Sequence, residues 1–393
     1  MSEESTKSPI LISEIHLQNL LSFGPDAKPI PLGPLNVLIG PNGSGKSNLI
    51  EAIGLIRETT RDLRSAISNG GGIEEWIWKG KPLETASISL ILPNKSDGYE
   101  IHFSIGVRSE RQNFQVAFEK VVADDPDLPF DLFIYDFRGN TTGEVHSSRL
   151  SYSEEVPIEP DQSVLSQIKD PKHYPELWFA GDRFSRICFF RIWQFGRQSA
   201  LRFPQKTDLR NDLLNEDFSN LGMVLNRLLN TKKSKNAFIS ALTDLYGGLT
   251  DIHLSLFGGT IQIILEEGDF SIPATRLSDG TLRYLCLLCI LLDPTPPPLI
   301  CIEEPELGMH PDIIVKIADL MVEASTRTQL IVTTHSDIIL DALSNRPESI
   351  LVCEKHDGKT EITRLDAESV KPFLEHRSLG DMWNSNIIGG RRW

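Results

Sequence analysis

Gly40-Pro41-Asn42-Gly43-Ser44-Gly45-Lys46-Ser47 spells GxxxxGKS, and it decides how the rest of the chain is read. The apolar run Leu35-Asn36-Val37-Leu38-Ile39 precedes it and Asn48-Leu49-Ile50-Glu51-Ala52-Ile53 follows, so the loop is predicted between a strand and a helix. That setting is what a phosphate-binding loop requires. Glycines 40, 43 and 45 let the backbone wrap closely enough to aim its N–H groups at phosphate oxygens. The following helix adds its positive N-terminal dipole. Asn42, Gly43, Ser44 and Gly45 form the cradle, Lys46 reaches the outer phosphates, and the Ser47 hydroxyl takes a place on Mg²⁺. The spelling predicts binding of a nucleoside triphosphate.

The 393 residues carry 40% hydrophobic and 24% charged side chains, which is ordinary folded composition. Fifty-four Asp and Glu stand against 39 Lys and Arg, a net charge of −15. An evenly acidic surface repels a phosphate backbone, so nucleic-acid contact needs a local basic patch. The polar start, Met1-Ser2-Glu3-Glu4-Ser5-Thr6-Lys7, lacks the apolar core of a signal peptide. The longest apolar run, 285–292, is too short to cross a bilayer. Five cysteines scattered through apolar stretches set up no disulfide framework. These features predict a cytoplasmic protein with no membrane element.

Outward from the loop, residues 10–17 read as a first strand and 25–34 as a connecting loop. Arg57, Arg61 and Arg64 are spaced to share one helix face, either complementing a helix C-terminus or facing a partner. From 84 to 145 short alternating segments (86–92, 99–107, 114–122, 132–137) predict an antiparallel meander. Asn94-Lys95-Ser96-Asp97 matches the NKxD motif of GTPases, but no DxxG switch precedes it after Lys46. A hairpin turn is the better reading. A helix is expected from Tyr174 onward. The stretch 183–210 is strongly basic (Arg183, Arg186, Arg191, Arg197, Arg202, Lys206, Arg210) with interleaved Phe and Trp. It reads either as a nucleic-acid or partner surface, or as core aromatics with internally paired arginines.

The last third is dense with chemistry. Leu277-Ser278-Asp279-Gly280-Thr281 leads into an apolar helix, and Ser278 and Gly280 at its start make a second anion site. Leu299-Ile300-Cys301-Ile302-Glu303-Glu304-Pro305-Glu306 is a strand ending in carboxylates, where one supports Mg²⁺ and the next activates water. The strand 329–333 ends at Thr334-His335-Ser336, where a histidine can touch the γ-phosphate. Cys286 and Cys289 are spaced CxxC within the apolar helix, which favours core packing over metal or redox use. His310 reads as a structural loop residue.

GPNGSGKS, LSDGT, LICIEEPE and TTHS, in this order, resemble the ATP-binding-cassette type of ATPase head in its soluble RecF/SMC-like branch. Closer still is the likeness to stand-alone AAA-type ATPases related to the OLD and abortive-infection families. Their ExxLHP-like run appears as Glu306-Leu307-Gly308-Met309-His310-Pro311, and 378–393 resembles their C-terminal end. The resemblance covers essentially the whole chain. It implies a single α/β P-loop head: an N-terminal lobe (1–80), an antiparallel β-subdomain (81–150), a helical and basic middle segment (151–270), and a lobe with the signature, acidic strand and histidine (271–393). It implies ATP and Mg²⁺, with Lys46 and Ser47 on phosphate and metal, Glu303 supporting the metal, and Glu304 as general base. His335 would be the switch, and Ser278 and Gly280 would act across a homodimer on the partner's ATP. Gln162 or Gln167 would complete the metal site. Two departures stand out. Glu303 replaces the usual aspartate, and Asp279 stands where transporters have glycine.

The chain carries no recognisable nuclease or TOPRIM-like motif. The resemblance therefore implies a separate effector, a nuclease or toxin, in an anti-phage or abortive-infection system. A RecF-like repair ATPase that binds DNA itself is the competing expectation, and a transporter component comes third.

Overall fold

The strand Leu35–Ile39 is buried at every position, as a strand packed on both faces must be. Its partner is distant in sequence: Ile350–His356 pairs with it in parallel, Leu351 opposite Leu38. The hairpin strand Lys359–Arg364 then returns antiparallel. The computed structural model describes residues 9–80, 85–94, 98–110, 113–124, 132–138, 142–147, 152–245 and 247–389. Lys95, Ser96 and Asp97 of the NKxD match lie outside the described residues, as do 1–8 and 390–393.

The chain forms two compact units. The first comprises the residues up to Ile187 with Arg346–Arg377 and the chain from Met382 on. Besides the strands just described it holds an eight-stranded antiparallel sheet. The expected meander is there as Thr85–Asn94, Tyr99–Glu110, Asn113–Asp124 and Leu132–Phe137, continued by Thr142–Ser147 and Tyr152–Pro157. Thr85–Asn94 alternates half-buried and buried residues along its length, the period-two pattern of a strand with one face on a core. The first strand, Glu14–Gln18, joins this sheet beside Thr85–Asn94.

The phosphate-loop helix Lys46–Glu58 buries Leu49, Ile53 and Ile56 at helical spacing. It ends at Glu58, so the three arginines do not share one helix face. Arg57 lies in the last turn of that helix, Arg61 lies beyond it and hydrogen-bonds Ser185 O, and Arg64 lies in the first turn of the next helix, Leu63–Asn69, pairing with Asp161 at 2.9 Å. The expected later helix is Pro175–Ser185, with proline in its first turn, where its missing N–H costs nothing.

The second unit comprises Cys188–Asn345 and Ser378–Asp381. Three parallel strands run side by side, Cys188–Phe190, Leu299–Glu303 and Gln329–Thr333, with Glu303 opposite Thr333. The helix Asp279–Leu291 is buried at every residue of 281–291, apolar but for Thr281 and Arg283 in its first turns, as a core helix is. The segment expected to be helical holds the helices Leu221–Leu229 and Lys232–Leu245. It also holds an antiparallel sheet of Leu249–Phe257, Thr260–Glu267 and Phe270–Pro273 that goes beyond the sequence reading. These elements are those of an α/β P-loop fold with mixed sheets and helices.

Candidate functional site

In the first unit the phosphate loop is held by sterics. Gly40 has φ +148°, and a Cβ there would stand 2.2 Å from the Cys353 carbonyl oxygen. Gly45, at φ +103°, would place a Cβ 2.1 Å from Thr360 Oγ1. The helix Lys46–Glu58 has no side-chain cap at its N-terminus. A helix start of this kind, with its N-terminal dipole, is the arrangement that binds phosphate. Ser44 Oγ is buried with no hydrogen-bond partner among the described residues. A phosphate oxygen is the kind of group that fits both. Lys46 arches back over the loop, its Nζ donating to Gly40 O at 2.8 Å and Pro41 O at 3.0 Å. Ser47 is exposed beside it, a hard oxygen suited to Mg²⁺.

Three supporting residues went unnoticed in the sequence. Thr360 Oγ1 donates to Ser44 O at 2.8 Å and lies 2.6 Å from Ser22 Oγ, which accepts from Asn48 Nδ2 at 2.7 Å. Nothing local marks Ser22 or Thr360, because each reaches the loop from far along the chain. A cleft of about 430 Å³ opens beside them, lined by Ser22, Asn48, Trp78, Lys79, Lys355 and Asp357 among others.

The linking-loop glutamines are both engaged. Gln162 Oε1 accepts from Leu63 N at 3.1 Å and its Nε2 donates to Asp62 Oδ1 at 3.0 Å. Hydrogen bonds from Ser65, then from Gln162, hold the Asp62 carboxyl down at about 2. Gln167 Oε1 accepts from Glu159 N at 3.0 Å. The same loop is anchored by Glu119, fully buried, which accepts from Ser163 Oγ and from Val164 N at 2.8 Å. Burial pushes its carboxyl up to about 7.

In the second unit the acidic strand delivers Glu303 and Glu304. Glu303 pairs with Arg191 at 3.5 Å, and its backbone oxygen accepts from Trp193 Nε1 at 2.8 Å. Glu304 turns the chain with φ +47°, the left-handed region that a residue with a Cβ adopts only under constraint. Its N–H donates to Thr333 O at 3.0 Å, and its carboxylate stands 3.9 Å from His335 Nε2. The two residues expected to handle water and γ-phosphate are thus neighbours. Glu306 holds the histidine strand in place, accepting at one oxygen from Thr334 Oγ1 (2.7 Å) and His335 N (2.9 Å). Burial raises its carboxyl above the usual range.

Ser278 is the N-cap of Asp279–Leu291, its hydroxyl accepting from Thr281 N at 3.0 Å. A Cβ on Gly280 would come 3.4 Å from Gly308 O, so the signature and the turn after the acidic strand pack closely. His310 caps the helix Pro311–Ala324, the structural place expected of it. Cys286 and Cys289 are core residues whose thiols burial pushes well up. Part of the basic stretch is used internally: Arg202 is buried, and Arg183 lies over the Phe179 ring. Arg186, Arg197, Lys206 and Arg210 are exposed, Arg210 pairing with Asp212 at 2.8 Å on the surface. Phe190, Trp193 and Phe195 stack around Phe218. No described helix is long and apolar enough to cross a membrane.

The phosphate loop, the acidic strand and the strand ending at His335, each on its own element, are those of an ATPase head of the ABC/SMC kind. Its residues 35–341 match the family described as "AAA domain, putative AbiEii toxin, Type IV TA system", and the chain belongs to that family. Over 102 residues it is 37% identical to the DNA double-strand break repair Rad50 ATPase of Sulfolobus acidocaldarius, covering 25% of this chain and 10% of that protein. Over another such alignment of 102 residues it is 31% identical to the chromosome partition protein Smc of Desulfitobacterium hafniense, covering 24% and 8%. The chain thus spans about a tenth of the length of these relatives. Among solved structures it is similar to an Smc head bound to the C-terminal winged-helix domain of ScpA. The TM-score is 0.60 at 17% identity, covering 92% of this chain and all of that one. An Smc head from Pyrococcus furiosus with an extended coiled coil gives 0.57 at 15% identity, covering 93% and 98%.

Proposed function

We propose that the chain is an ATP-binding and ATP-hydrolysing switch. Lys46 and the loop N–H groups bind the phosphates. Glu304 takes a proton from the attacking water, and His335 senses the γ-phosphate. Ser47 and Glu303, with Gln162 or Gln167, are the oxygen donors that would hold Mg²⁺, which when bound neutralises phosphate charge. Gln162 would have to leave Asp62 and Leu63 to serve. Ser278 and Gly280 act on ATP held by a second copy of the chain. The observation that carries this reading is the Glu304 carboxylate 3.9 Å from His335 Nε2, with Glu304 itself in a left-handed backbone.

Closure of two heads on ATP would then control a separate effector, a nuclease or toxin, in an anti-phage or abortive-infection setting. The AbiEii description of the family supports that setting. A RecF-like ATPase that binds DNA directly is the second reading, favoured by the short likeness to Rad50. The internal use of Arg191 and Arg202 weighs against it. The first test is hydrolysis of ATP by the purified chain with Mg²⁺. Wild type should turn over and Lys46→Ala should not; equal rates would end the proposal. Stimulation by DNA that disappears at high salt would promote the second reading.

A further inference from the structure

The signature of this chain carries a carboxylate, Asp279, between the two residues assigned to an anion, Ser278 and Gly280. A fixed negative charge there opposes a triphosphate. The structure meets it with a cation from another part of the second unit. Arg202, buried in a short turn, donates to the Asp279 carboxylate. The same guanidinium donates from Nε to Phe195 O at 2.9 Å and Gly196 O at 3.3 Å. From Nη1 it donates to Leu277 O at 2.6 Å, the residue just before Ser278. Asp279 itself is 68% exposed at its side chain, so it stays in reach of whatever approaches the helix start. The arginine that faces it is only 8% exposed and is anchored by backbone oxygens that cannot leave.

We propose that Arg202 is a positioning residue for the signature. It neutralises Asp279 and fixes the backbone leading into Ser278, so that a helix start bearing a carboxylate can still meet the γ-phosphate of ATP. The assignment rests on the proposed role of the signature toward ATP. It explains how a signature with aspartate in place of glycine remains an anion site, and it makes one of the basic-stretch arginines part of the switch.

The experiment compares ATP concentration for half-maximal hydrolysis, and ATP-driven dimerisation, across Arg202→Gln, Asp279→Asn and the double variant. Arg202→Gln removes the ion pair from Asp279, leaving only the more distant Arg283, and should raise the half-saturating ATP concentration about tenfold or more. Adding Asp279→Asn should bring it back to within about threefold of wild type. A double variant as impaired as Arg202→Gln would overturn the proposal, leaving Arg202 as a structural clamp on the carbonyls. Asp279→Asn keeps every carbonyl contact, so it answers even where Arg202→Gln fails to fold. There Arg202 is left with surplus positive charge, the half-saturating ATP concentration should fall, and a rise overturns the charge assignment. Ser278→Arg is the separate control. Full hydrolysis in that variant removes the underlying role of the signature. A dead Ser278→Arg with no rescue in the double variant removes only the role of Arg202.

Discussion

At the scale of single residues, the proposed general base Glu304 coincides with a left-handed backbone. A left-handed backbone at a residue with a Cβ costs on the order of 1–3 kcal/mol, which glycine would avoid. Glu304→Gly should therefore raise the unfolding free energy measured by chemical denaturation by about 1 kcal/mol while removing hydrolysis. A variant that is destabilised would mean the turn is not strained. Glu304→Gln keeps the shape and removes the base, and should slow turnover by about 10²–10⁴-fold while ATP still binds. Near-normal turnover would move the base to another group, with Glu306 and His335 nearest. Glu119 offers a pH test. Its carboxyl is raised by burial, so the neutral form is the one the fold accepts. The stability it contributes is fully present below its unfolded value of 4.5 and is lost as pH rises through about 7. Wild type should lose stability over that window, on the order of 3 kcal/mol at most, and Glu119→Gln should flatten the slope. Parallel pH profiles for the two proteins would contradict this.

At the scale of elements, the phosphate loop depends on the hairpin strand Lys359–Arg364 through Thr360. Thr360→Val keeps the volume but leaves the Ser44 carbonyl short of a donor. It should weaken ATP binding about tenfold and cost about 1–3 kcal/mol of stability. Titration with a fluorescent ATP analogue and a melt would read both; unchanged affinity would make the contact incidental. That dependence also shows where sequence reading stops. The strand–loop–helix around 40–47, the meander and the strand ending at Glu303 were legible, because their signals are local periodicity and fixed spelling. The sheet from Leu249 to Pro273 was not: Thr260–Glu267 does alternate, but Leu249–Phe257 and Phe270–Pro273 are largely exposed and lack a clean alternation of apolar and polar residues. The row of Arg57, Arg61 and Arg64 misled, because a spacing says nothing about where a helix ends. Ser22, Thr360 and Arg202 were invisible as site residues, since each acts through a contact tens or hundreds of positions away.

At the scale of the whole molecule, the central claim is that an active site is shared between two copies. An isologous dimer then holds two equivalent sites, each taking Lys46 from one copy and Ser278 from the other. Lys46→Ala and Ser278→Arg should each be inactive alone. In a mixed dimer one site inherits both defects and the other neither. The decisive measurement is ATP hydrolysis by an equimolar mixture of the two variants under exchanging conditions. Recovery to about a quarter of the wild-type rate is expected if the sites fire independently, and in any case recovery above either parent. A mixture as silent as its parents, with exchange demonstrated and intact sites shown to fire independently, would contradict the shared site and leave a P-loop ATPase working within one subunit.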